Sequence, residues 1–154
     1  MKLNKTLLAI IFALSASYSL AQSKTPAVSP NLTPPAPGNI KLLPGYIHER
    51  KQGMDSIVGQ ISKKDGFVIY YDIGRMAANY AAAAYTDKKQ NVLWVKNQKI
   101  NNDDLMIVYL KDGTVYASFG GASANFIATV KTNEELTEFL LMVLTYDGSE
   151  QRSK

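Results

Sequence analysis

Chemistry in this 154-residue chain has few side chains to start from, and the single histidine, His48, is the first of them. As a general base or a metal ligand, His48 needs carboxylates brought to it from elsewhere in the chain, such as Asp55 or Asp72, because Glu49 beside it in sequence does not have to converge on it. A catalytic reading therefore joins His48, Asp72 and Arg75 in a pocket beside the Gly74 turn. Gly121-Ala122-Ser123-Ala124-Asn125 has the outline of a nucleophile elbow, but a strand-like run follows it and the histidine precedes it, the wrong order for that motif. A loop or β-bulge is the expectation there.

Asp103 and Asp104, preceded by two asparagines, offer oxygen ligands, yet they lack the alternating ligands and central glycine of a calcium loop and read as a solvated turn. The chain has no cysteine, which removes thiolate zinc sites, disulfides, cysteine nucleophiles and a lipid anchor through cysteine. With one histidine and no glycine-rich nucleotide loop, neither metal nor cofactor is expected. The unusual ingredient is tyrosine, at Tyr46, Tyr70, Tyr71, Tyr80, Tyr85, Tyr109, Tyr116 and Tyr146 beyond the first twenty-one residues. A ring with apolar area and a polar tip suits a contact surface. Tyr70, Tyr116 and Tyr46 are the candidate binding residues, although aromatic residues also simply suit strands.

These side chains must be positioned by a set of short elements. Residues 56–62 alternate apolar and polar, Lys63-Lys64-Asp65-Gly66 supplies turn chemistry, and 67–73 is rich in β-formers, which together read as a hairpin. Residues 105–110, Lys111-Asp112-Gly113 and 114–119 repeat the arrangement. Residues 91–100 and 126–130 read as further strands, with the polar stretch 101–104 turning the chain and Gly120-Gly121 breaking it. Residues 75–85 suggest a short helix around the Ala81 to Ala84 run. At the end, Thr132 and Glu135 form a capping box, and Leu136, Phe139, Leu140, Val143 and Leu144 recur at helical spacing, which predicts a helix over 133–146. The expected fold is α+β: a mostly antiparallel meander of about six strands with a carboxy-terminal helix packed on one face.

The remaining chain reads as address and spacer. Lys2 and Lys5, eight apolar residues from Leu7 to Leu14, and Ser19-Leu20-Ala21 match a cleavable signal peptide over 1–21, too short in its apolar part for the roughly 20 residues of a membrane span. All six prolines lie between Pro26 and Pro44, making 22–44 a proline-rich linker and 45–150 a single domain. The net charge of +4 belongs entirely to the leader and linker, since residues 45–154 hold thirteen Lys/Arg against thirteen Asp/Glu. A neutral domain without a basic run excludes nucleic acid as the expected partner.

Leu43-Pro44-Gly45-Tyr46, His48, Gly53, Asp55, Val58-Gly59, Lys64, Gly66 and Tyr71-Asp72-Ile73-Gly74 together resemble a pattern in small exported bacterial proteins of unassigned function. The likeness extends to Ala124-Asn125-Phe126 and to residues 140–146. The resemblance implies export and a single domain, and it transfers no catalytic residue. The expectation is thus an exported, periplasmic or secreted, interaction module for a polypeptide or cell-envelope component. A cell-envelope enzyme with a site near His48 and Asp72 is the alternative, disfavoured because the sequence holds no complete catalytic set.

Overall fold

The computed structural model describes residues 35–148 except 65, 75, 76 and 122, together with all but the side chain of Gln52. The expected signal peptide, the linker up to residue 34 and Arg75 lie outside the described residues.

Seven strands form one antiparallel sheet in the order β1-β2-β3-β7-β6-β5-β4. In chain order these are β1 (Tyr46–Gln52), β2 (Ile57–Lys63), β3 (Val68–Ile73), helix α1 (Tyr80–Asp87), β4 (Val92–Ile100), β5 (Asp103–Leu110), β6 (Thr114–Phe119), β7 (Ala124–Thr129) and helix α2 (Asn133–Val143). The local pattern of Tyr46-Ile47-His48-Glu49-Arg50 marks the start of the domain but not a strand, and the structure makes it β1. Instead of one meander there are two, β1-β2-β3 and β4-β5-β6-β7, joined where β3 pairs with β7 from Ile69↔Ala128 to Ile73↔Ala124. The crossover through α1 carries the chain from β3 to the far edge, so the last strand, not the next one, becomes the neighbour of β3.

The turns follow local chemistry. Asn101 and Asn102 both take positive φ, 50° and 63°, the two-residue hairpin geometry that asparagine tolerates. The next strand therefore resumes at Asp103 instead of Leu105. At the β5–β6 turn, the Asp112 carboxylate accepts a hydrogen bond from the Thr114 amide at 2.9 Å, which holds that carboxyl below the usual carboxylate range, while Gly113 takes φ 83°.

Both helices start on side-chain caps. The Asn79 side chain accepts from the Ala82 amide at 2.8 Å, which places the start of α1 at Tyr80, five residues later than the alanine pattern suggests. Thr132 accepts from the Glu135 amide at 3.1 Å, and Glu135 accepts in return from the amide of Lys131. The helix ends at Val143, and Tyr146 lies just beyond it.

Alternation along the strands sorts side chains onto two faces. On one, Phe139, Met142 and Val143 of α2 share a buried cluster with Ile61, Ile69, Tyr71, Ile107, Phe119 and Phe126. Tyr146 completes it, with its ring 4.8 Å from that of Phe119 and 5.3 Å from that of Phe126. On the other face α1 packs chiefly on β5 and β6, where Ala81 packs on Val108 and Leu110, flanked by Val92, Met106 and Tyr116.

Candidate functional site

The residues with acid–base character are placed apart. His48 pairs across the sheet with Ile61, and Ile61 with Ile69, so His48 faces α2, whereas Asp72 pairs with Val58 and Asn125 and faces the other way. A strand-edge histidine and a carboxylate two strands away on the opposite face do not form one site. Arg75 lies outside the described residues.

His48 is buried at 5 % exposure, and its Nε2 lies 2.7 Å from the Tyr71 hydroxyl. Tyr71 stands on β3 and reaches β1 across β2 at Gly59, its cross-strand partner. A methyl group at Gly59 would fall far inside contact distance of both the Tyr71 hydroxyl and the Glu49 carbonyl oxygen, so only glycine admits the ring there. Burial raises the Tyr71 hydroxyl pKa, with Arg50 opposing the shift.

Asp72 serves the crossover. The Tyr80 hydroxyl donates to its Oδ2 at 2.5 Å, and its buried Oδ1 has no hydrogen-bond partner among the described residues. This bond, followed by burial and the Asp72 charge, pushes Tyr80 up to about 12. Beside it, the Asn125 side chain accepts from the Tyr80 amide at 3.0 Å and from the Ser118 hydroxyl at 2.6 Å, and donates to the Ala78 carbonyl at 2.9 Å. Ser118 in turn accepts from the Ala81 amide at 3.0 Å. The network satisfies amides at the start of α1, groups that a short helix cannot satisfy itself. Asn125, whose place in the sequence suggested a loop, thus anchors an element nearly fifty residues earlier.

Adjacent strand residues point to opposite faces, and this splits Asp103 from Asp104. Asp103 is 3 % exposed and accepts from the Gly121 amide at 2.6 Å, while Asp104 is exposed and meets Lys99 at 3.7 Å. The expected solvated turn is therefore half interior. Among the described residues no three His, Asp or Glu side chains gather as a metal would require.

The candidate binding tyrosines divide as well. Tyr46 is buried beneath α2, its hydroxyl 2.7 Å from Glu138 Oε2 and its ring edge-on to Phe67. Tyr70 and Tyr116 share the other face in one cross-strand row, with Ile127 between them. Tyr116 sits at the border of the α1-covered half, where the Lys88 ammonium lies 5.7 Å from its ring centre. Tyr70 is 54 % exposed beyond that border. Around it stand Val58, Val68 and Ile127, half-buried, and Ile47, 62 % exposed on the edge strand. Polar groups stand among and beside these residues: Gln60 pairs directly with Tyr70, accepts from Lys51 at 3.1 Å and donates to Glu49 at 3.0 Å.

This half of the face mixes apolar and polar side chains, a composition suited to noncovalent contact. Tyr70 was legible as a candidate from its alternation against Ile69 and Tyr71. Ile47 was missed because the length of β1 could not be read, and Val58 and Ile127 were missed because their exposure depends on where α1 stops. Compared with models of protein families, with curated proteins and with solved structures, the chain matches none of them.

Proposed function

We propose that the protein is an exported interaction module, periplasmic or secreted, that docks a polypeptide or cell-envelope component on the open half of its sheet. The observation that carries this reading is the uneven covering of one face. The α1 helix closes β5 and β6, while among the described residues Ile47, Val58, Val68, Tyr70 and Ile127 lie half-buried to exposed outside the buried cluster beneath it, interspersed with Gln60, Ser62 and Asp72. Exposed apolar side chains gathered with polar ones on one face are a common mark of a docking site. Tyrosine adds area at low entropic cost, since few bonds must be fixed on binding.

Export rests on the amino-terminal pattern of charge, apolar run and small residues. No helix among the described residues is long and apolar enough to cross a membrane. Binding is preferred to catalysis because His48 and Asp72 face opposite ways, so neither supplies the other with a proton relay.

The test places a photo-reactive side chain at position 70, and separately at position 141, in cells that make and export the protein. Leu141 is 53 % exposed on α2, on the opposite side of the sheet, and serves as the control. A discrete adduct from position 70 that is absent from position 141 is the expected result. Equal labelling from both positions, or none from either, removes the docking face. Intact mass of the exported chain is expected to correspond to a start at Gln22.

A further inference from the structure

We propose that the outer edge of β4 accepts an extended polypeptide segment carrying acidic and aliphatic residues, adding it as an eighth strand. The inference goes beyond the open-face reading, because it concerns the edge of the sheet and a different part of the molecule.

Among the described residues, the strand order leaves β4 with one neighbour, β5. A terminal strand directs alternate backbone N–H and C=O groups away from the sheet, ready to pair with another chain. On β4 this edge is open: all residues from Leu93 to Asn97 are exposed, with Leu93 at 54 %, Trp94 at 36 % and Val95 at 38 %. The register slips once, between Val92 and Trp94, which makes Leu93 a bulge residue, and it then runs unbroken from Trp94↔Tyr109 to Ile100↔Asp103. Seven regular residues are enough to guide an incoming strand.

The other edge of the sheet is built differently. Strand β1 presents Glu49, Arg50 and Lys51 in succession, a run of mixed charge of the kind that discourages edge pairing. On β4 the exposed run begins instead with Leu93-Trp94-Val95, and the Trp94 ring rests against Tyr109 at 5.6 Å, forming an aromatic ledge beside the edge.

Charge selects the occupant. Residues 89–100 carry Lys89, Lys96 and Lys99 and no acid, although residues 45–154 as a whole are balanced, while Lys88 turns inward over Tyr116. Asp104 at 3.7 Å offsets the charge of Lys99, which leaves Lys89 and Lys96 as the excess positive charge of this edge. A second copy pairing through the same strand would bring the lysine-rich edges together, whereas an acidic segment complements them. Trp94 and Lys96 lie on one face of β4 and Val95 and Lys99 on the other, so an added strand of alternating acidic and aliphatic residues meets an apolar side chain and a lysine on each face.

The probe is an acetylated, amidated octapeptide of alternating valine and glutamate, titrated into the full chain. Trp94 is the only tryptophan, so its emission reports directly on the edge. We expect saturable binding with a shift in Trp94 emission. Alternate N-methylation of the peptide should abolish it by removing the backbone donors that strand addition uses. The valine–lysine counterpart should bind about tenfold or more weakly, and the double variant Lys89→Glu, Lys96→Glu should reverse the preference. Absence of binding, or equal binding of all three peptides, overturns the proposal. So does a peptide-free chain that sediments as a dimer and becomes monomeric on Val95→Lys, since the edge then belongs to a second copy. Cross-linking at position 70 and titration at Trp94 read separate surfaces, so either proposal can fail visibly without the other.

Discussion

Gly59 is tightly constrained, because β1, β2 and β3 meet there through one ring. Tyr71 must cross β2 to reach His48, and a side chain at position 59 meets both that ring and the Glu49 backbone. Gly59→Ala is therefore expected to destabilise the fold by about 3 kcal/mol, near the upper end of the cost of overpacking, as measured by urea denaturation. Combining it with Tyr71→Phe should recover only part of the loss, because the Glu49 carbonyl cannot retreat as a side chain can. Full recovery would mean that the ring alone sets the constraint.

Tyr80 carries a pH prediction at the same scale. Its folded pKa of about 12 exceeds the ordinary 10.0, so the folded chain holds this proton more tightly than the unfolded chain does. The resulting stability is fully present below pH 10 and is lost as pH rises toward about 12. Tyr80→Phe should flatten the alkaline fall of the urea midpoint across that window. Tyr71, shifted the same way by burial, contributes a remaining slope. An unchanged slope in the Tyr80 variant would show that Asp72 does not hold the Tyr80 proton.

At the level of elements, the two helices depend on different things. The α2 helix has a reciprocal cap and a continuous apolar stripe, all within fifteen residues, so its sequence announces it. The α1 helix has eight residues, too short to persist alone, and it is positioned by Asn125 and Ser118 from distant strands. Asn125→Ala removes the acceptor for the Tyr80 amide and the Ser118 hydroxyl. The expected loss is about 2–3 kcal/mol, from buried polar groups left without partners. Amide exchange in residues 81–84 should accelerate more than exchange in β5 or β6. Uniform acceleration throughout the sheet would instead make Asn125 a general core residue and not the anchor of the crossover.

For the whole molecule, the decisive seam is β3 against β7, where the two meanders become one sheet. Phe126 lies at that seam, wholly buried, opposite Tyr71 and near the rings of Phe119 and Tyr146. Phe126→Ala should cost about 3–5 kcal/mol. That is a large share of the roughly 5–15 kcal/mol by which domains of this kind are stable, so a much lower melting temperature is expected in calorimetry. A small change would mean that the meanders are held mainly by α2.

Much that depends on near neighbours was legible in the sequence. The Asp112-Gly113 turn, the Thr132–Glu135 cap and the alternation in β2 and β3 each involve residues only a few positions apart, so their physics is complete within a short window. The antiparallel α+β character followed from them. Tertiary structure alone decided that His48 and Asp72 face opposite ways, that Tyr46 is interior while Tyr70 is open, and that Asn125 caps a crossover. Each of these depends on cross-strand register or on which face another element covers. Register flips a side chain to the other face with a one-residue slip, and the β3–β7 pairing joins residues more than fifty positions apart, so no local pattern encodes it.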